Sequence, residues 1–489
     1  MRKAFSFLML LWFGAGVAHS QNKQLLYDFT EIPQSLMVNP GALTGLDWYA
    51  GIPLLSGNSI HAGTSGITVN DLFADDGLDI NDKVRDRAVY GMAPRDELSG
   101  TYQVELLSGG FRGRNHPENF YSFGIYHEGD AIGYWFGDLA VLAWEGNADQ
   151  LGRRFRLEHL KTRGEVLNVF HFGINRQLRN GWTVGARGKL YSGIFQFQST
   201  NNQGYFVTNE GVNNLLANTL VANMALQSSG LETVRSILSD DAGNEGSRLG
   251  SHLLSRGFFG GDLGLGVDLG FTYAINDQWV LTGSLLDLGF MVYSTDVRNF
   301  TLDGRATVEG VEVILPEALA DPNRDFWQDL VDEIEALIPF EENSDTYIDL
   351  RPTKMNASLR YNWGEGSGGG SASSSCDCDY RSGGGGQPAN PRGYRNSVGA
   401  QLYAINRPRG PQTALTAFYQ HRFGNVLAMK ATYTVDKFTK TNIGLGMNLQ
   451  AGPVNFYILA DNLLGYRNIP DSHYQSFQFG LNILSWEDN

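Results

Sequence analysis

The 489 residues contain only two cysteines, Cys376 and Cys378, in a single C-x-C. A secreted domain built on disulfides needs more, and one such pair cannot assemble a zinc set. No metal site and no cofactor is expected. The pair itself leaves three states open: an intermolecular disulfide, a strained local one or two free thiols. Basic charge is also short, with 37 Lys and Arg against 52 Asp and Glu and a formal net charge of −15. Without a basic footprint, nucleic acid is not an expected partner. After Gln21 no apolar run approaches the roughly 20 residues that a spanning helix needs. With a mean hydropathy of −0.24, a helical membrane protein is excluded. A barrel is not, because alternating strands average to neutral hydropathy. No G-x-S-x-G elbow, H-E-x-x-H or P-loop occurs. The nine histidines are scattered, and His171 and His421, in expected strands, have no triad partner readable from spacing. An enzyme is not expected. The acidic run Asp75, Asp76, Asp79 and Asp82 lacks the residue order and closing Glu of a calcium loop and reads as a solvated loop.

Glycine and aromatics, by contrast, are abundant: 60 glycines and 12% aromatic residues. The stretch Leu263 to Phe290 shows how they are used. Leu263, Leu265, Val267, Leu269, Phe271 and Tyr273 fall on one face of an extended chain. Gly264, Gly266, Asp268, Gly270 and Thr272 fall on the other, as a period of two requires. Asn276 and Asp277 make a turn, and Trp279 opens the return strand. Large apolar groups on one side and glycine or polar groups on the other suit a strand between lipid and lumen.

In chain order, the first twenty residues carry a basic start at Arg2 and Lys3, then an apolar run. Small residues at Ala18 and Ser20 fit cleavage before Gln21, so residues 1–20 read as a secretory signal peptide. Residues 21–489 then form a single unit. Pro33, Pro40 and Gly41 prevent regular helix before the first strand. Residues 46–66 read as a weak hairpin turning at Ser56 to Asn58. Strands are expected around Thr101–Phe111, Asn119–His127 and Ala131–Trp144, and a hairpin turning at Arg179-Asn180-Gly181. An insertion at 196–260 carries helical spacing at Leu216, Leu220, Met224, Val234 and Leu238. A second insertion, 294–355, contains an expected acidic amphipathic helix from Asp321-Pro322 through Ile338. It reads as packed on its own barrel, with a lid or docking face as the alternative. Residues 364–396 form a Gly/Ser-rich loop. From Val398 to Ile483 alternation is strongest, with tight turns at Gly424-Asn425 and Ala451-Gly452-Pro453.

These patterns predict an all-β fold: a single antiparallel transmembrane β-barrel of about 14–16 strands, with two long loop insertions containing short helices. An antiparallel meander with an apolar outer face must close to satisfy its edges in lipid. Turns near Asn180, Asp277, Gly424 and Gly452, and the Gly/Ser-rich loop, share the periplasmic side. The insertions share the cell surface. Arg187, Lys189, Asp268, Arg360 and Lys430 are expected to line the lumen, either bridging internally to hold an inward-folded segment or selecting solutes.

The signal peptide, the segment Asp28 to Ala42 with Pro33 and the Asn39-Pro40-Gly41 motif, the LLDLGF strand ending at Phe290 and the C-terminal meander together resemble a Bacteroidota outer-membrane β-barrel family of unknown function. It is similar in style to the fatty-acid-transporter-like barrels and to those associated with type IX secretion. The chain departs from the usual ending, since Glu487-Asp488-Asn489 follow the last aromatic, Trp486. The resemblance implies a Gram-negative outer-membrane location, with outer-membrane lipid as the first partner. The resemblance says little about activity; the role expected is an accessory or plugging subunit of an outer-membrane assembly, such as a type IX secretion translocon, contacted through surface loops. The alternative is a passive transporter or channel for small solutes, hydrophobic ones included.

Overall fold

The computed structural model describes residues 23–178, 180–212, 216–240, 243–309, 341–365 and 394–486. The expected signal peptide, the acidic helix of the second insertion and the C-x-C pair lie outside them. Fourteen antiparallel strands close into one barrel. They are β1 (Leu46–Gly51, continued by Asn58–Thr64), β2 (Glu97–Arg112), β3 (Asn119–Tyr134), β4 (Thr162–Gln177), β5 (Trp182–Glu210), β6 (Asp262–Ala274) and β7 (Trp279–Tyr293). Then follow β8 (Tyr347–Leu350, continued by Lys354–Glu365), β9 (Tyr394–Arg407), β10 (Gly410–Phe423), β11 (Leu427–Val435), β12 (Asn442–Ala451), β13 (Val454–Asp461) and β14 (Tyr474–Trp486). Each strand pairs with its neighbour in sequence. Pairing of β14 with both halves of β1 closes the ring, so no edge is left for lipid to expose.

Three local expectations change. The two halves of β1 are not a hairpin: both pair antiparallel with β2 and β14 and continue one wall strand across a break at 52–57. The strands expected at Asn119–His127 and Ala131–Trp144 are one strand, β3, which ends at Tyr134. Gly137, at φ +44°, then turns the chain into a helix, Asp138–Glu145. In the first insertion Leu216, Leu220 and Met224 lie on a strand, Leu216–Ser229. Val234 and Leu238 lie on the helix Leu231–Leu238 that follows. That strand and Val297–Glu309 pair with each other, and with the far half of β5 they raise a small sheet above one rim.

The two rims differ. At one, β2 and β3, β4 and β5, β6 and β7, β10 and β11, and β12 and β13 are joined by short turns, and both chain-terminal strand ends lie there. Glu365 and Tyr394 pair at the same rim, so the strands flanking the Gly/Ser-rich stretch end on the side expected for it. Outside, the wall is apolar. On β6 the expected alternation holds, with Leu265 at 56% exposure facing out and Asp268 fully buried facing in. Rings girdle the barrel near the short-turn rim: Trp182 stacks on Tyr273 at 4.4 Å, Trp279 meets Tyr361 at 5.1 Å, and Trp363 lies 6.1 Å from Tyr419.

Candidate functional site: the lumen and the segment that fills it

Residues 23–45 do not stand before the barrel; they fill it. Leu25, Leu26, Tyr27, Phe29, Ile32 and Val38 form a buried cluster with the wall residues Ala428, Tyr457 and Leu459. A chain of three-residue turns, with Leu26, Phe29 and Ile32 nitrogens bonded to Lys23, Leu26 and Phe29 carbonyls, folds the segment on itself. Pro33 then precedes the short helix Ser35–Val38, where its missing N–H costs nothing.

The Asn39-Pro40-Gly41 motif has a local reason. Asn39 Oδ1 accepts from the Gly41 nitrogen at 2.9 Å, an Asx turn, and the Ala42 nitrogen donates to the Asn39 carbonyl at 2.9 Å. The turn swings the chain from the lumen into β1. It presents three successive carbonyls to the wall. Asn175 Nδ2 donates to Pro40 at 2.8 Å and to Ala42 at 2.9 Å, and Thr272 Oγ1 donates to Gly41 at 2.8 Å.

The five expected lumen residues all point inward and are buried. Arg187 binds Asp268 at 2.6 Å and also donates to the carbonyls of Leu36 at 3.0 Å and Met37 at 2.6 Å. Arg360 donates to the Asp28 carbonyl at 3.2 Å, and Lys430 to that of Tyr27. Three cations from three parts of the wall thus grip the backbone of one segment. Lys189 instead lies between two carboxylates, at 2.9 Å from Asp268 and 2.6 Å from Asp287.

Asp287 had been invisible to alternation. Between Leu285 and Leu288 the β6–β7 register slips by one residue, so Leu286 and Asp287 both turn inward while Leu285 and Leu288 face out. Asp287 adopts φ +58°, a strained choice that Asp tolerates better than most. Its carboxylate gathers Lys189, Lys354 at 2.8 Å and the Tyr191 hydroxyl at 3.2 Å, and its nitrogen donates to Asp268 Oδ1 at 2.7 Å. Other holders were also missed. Gln34 donates to Glu105 at 3.1 Å and to Asn482 at 2.9 Å, and Gln420 donates to Glu31 at 2.9 Å. Glu105, Gln420 and Asn482 sit at inward strand positions, so parity alone could list them, but nothing local named Gln34 or Glu31 as their partners. Toward the loop rim a polar cavity of about 60 Å³ opens among Lys23, Glu128, Asp130, Asp287, Arg351 and Tyr403, room for a few waters.

Fold and site together define a closed antiparallel β-barrel with an apolar outer wall and a lumen filled by its own N-terminal segment. Within that class the chain belongs to the family described as "Family of unknown function (DUF5723)", which matches residues 40–461. No curated protein matches it. Among solved structures, a FadL homologue from Pseudomonas aeruginosa is 10% identical over 96% of this chain and 99% of its own, with a TM-score of 0.39. The Ralstonia pickettii toluene transporter TbuX is 8% identical over 97% and 96%, with 0.38. The P. putida toluene transporter TodX is 11% identical over 96% and 94%, with 0.34.

Proposed function

We propose that the protein is a non-enzymatic outer-membrane barrel that passes small solutes through a lumen closed at rest by residues 23–45. The observation that carries this reading is the way the segment is held. Wall side chains grip its carbonyls by hydrogen bonds, those from Arg187, Arg360 and Lys430 contributing about 2 kcal/mol each. Among the described residues its covalent tie to the wall is the chain leading from Gly45 into β1. Such a stopper can shift without unfolding the barrel. The lumen charges Arg187, Arg360 and Lys430 act as its holders, and Lys189 and Asp268 as the pair that keeps Arg187 aimed. Charged groups line the remaining space, which favours polar solutes over hydrocarbons. An outer membrane is supported by the apolar wall, the aromatic girdle and the short-turn, long-loop asymmetry, and the same asymmetry favours a short-turn rim that faces the periplasm. The role of plugging subunit for a larger assembly gives way to this one, because the plugging segment here stops its own barrel.

Liposome swelling with small polar solutes tests the proposal. Wild-type protein should admit them slowly, and the Arg360→Gln/Lys430→Gln pair, which frees the Tyr27 and Asp28 carbonyls, several-fold faster. If both insert as folded barrels and neither passes any solute, the transport reading fails.

A further inference from the structure

The first insertion ends in a feature that the lumen does not use. After the helix Glu245–Ser255, the turn Arg256 to Gly260 lies against the outside of the wall. Asn168, an outward position on β4, donates to the Gly257 carbonyl at 2.9 Å. Ser192 Oγ donates to the Arg256 carbonyl at 2.8 Å and accepts from the Phe259 nitrogen at 3.0 Å. Arg256 is buried and locked on Asp262 at 2.7 Å. This well-anchored turn presents two adjacent rings, Phe258 and Phe259, each 48% exposed. Phe259 holds φ +68°, a conformation that a bulky residue adopts only when its surroundings impose it. Its ring stacks on Phe170 of the outer wall at 4.5 Å, and Phe258 meets the same ring edge-on at 6.0 Å. Leu254, one helical turn earlier, is exposed, and so is Leu263, where β6 begins.

Height decides what covers this patch. Trp182, in the girdle, and Ser192, under the turn, are about ten residues apart on β5. At about 3.3 Å per residue and a tilt of about 40°, that climb is about 25 Å, the height of a barrel's apolar band. We infer that Leu254, Phe258 and Phe259 form an interfacial anchor that inserts into the acyl-chain region of the outer leaflet, continuous with the barrel's lipid-facing wall. The adjoining helix then lies along the membrane surface, polar side to water. The inference rests on the membrane-barrel reading above.

The full chain, with Cys376 and Cys378 replaced by Ser, is spin-labelled singly at Phe258→Cys, Leu254→Cys, Leu269→Cys or Ser247→Cys in phosphatidylcholine/phosphatidylglycerol liposomes. Collision with oxygen and with a water-soluble nickel chelate is then measured. Labels at 258 and 254 should be oxygen-rich and chelate-poor like the wall label at 269, while 247 shows the reverse. If 258 and 254 behave like 247 while 269 reports lipid, the anchor is overturned and the barrel stands. Labels at 258 and 254 that are shielded from both agents would mean a protein partner covers the patch, which also overturns it. If 269 itself reports water, the membrane reading falls first. Heat-shifted migration on gels confirms folding of each variant, and the two anchor sites guard against loss of one.

Discussion

Gly185 of β5 and Gly270 of β6 are direct cross-strand partners, and together they leave the hollow that receives Pro40 and Gly41. A Cβ on Gly185 would run into the Pro40 carbonyl, and one on Gly41 into the backbone of Gly270. The chain meets the wall there backbone to backbone, which only glycine allows.

Gly270→Val should therefore expel the segment and leave the barrel. Its Cβ would collide with Asn39 Oδ1 and stand 2.8 Å from the Gly41 nitrogen. Limited proteolysis should cut within residues 23–45 in the variant and spare them in wild type, with heat-shifted migration retained. Gly246→Val, where a Cβ meets nothing within 4 Å, is the matched control.

Removing one partner of the Arg187–Asp268 pair strands a buried charge. Asp268→Asn takes the shared carboxylate from Arg187 and Lys189; its one amide oxygen can still accept from the Asp287 nitrogen, but its NH2 then faces two cations. The expected loss is about 3 kcal/mol, read as a lowered thermal transition in detergent. An unchanged transition would show that the pair is hydrated and cheap to break.

Asp287 separates strain from charge. Asp287→Asn keeps a residue that tolerates the left-handed backbone and forfeits the charge on Lys189 and Lys354. Asp287→Ala forfeits both. Alanine should be the more destabilising by about 1 kcal/mol, measured as the difference between the two transitions.

How much of this was legible follows from what alternation can carry. Inward and outward faces of the first part of β5, of β6, of Asn356–Trp363 in β8 and of β9 to β14 were readable because these stretches keep strict parity, and the five lumen charges came from parity alone. Asp287 was hidden by the bulge, which spends one residue and reverses parity after it. The strand Leu216–Ser229 was read as helix because Leu216, Leu220 and Met224 are spaced by four. That interval fits one face of a helix and, being even, one face of a strand as well. The break at 52–57 holds Pro53 and Gly57, which imitate a turn within a single strand. That the lumen charges could hold an inward-folded segment was legible, but which segment was not: the Asn, Gln and Thr holders beside Arg187, Arg360 and Lys430 look ordinary until residues 23–45 are placed against them.

One loop should respond to acid. Asp436, just past β11, is buried, which pushes its carboxyl up to about 6, against hydrogen bonds from the Thr439 and Phe438 nitrogens that pull it down. Its folded value lies above the unfolded one, so the folded loop holds a proton that the unfolded loop has lost. The stability this gives is full below about 4 and is lost as pH rises through about 6. Amide exchange at Phe438 and Thr439 should be better protected at pH 5 than at pH 8 after correction for intrinsic rates. Asp436→Asn should remove the difference.

The account depends on lipid receiving the apolar outer wall, and envelope fractionation tests it most directly. Cells expressing the full chain are separated into soluble and membrane fractions, and the membranes are washed at alkaline pH and in urea. The protein should remain wholly with the outer-membrane fraction after both washes and migrate as a heat-modifiable barrel. A chain recovered folded and monomeric in the soluble fraction would contradict it.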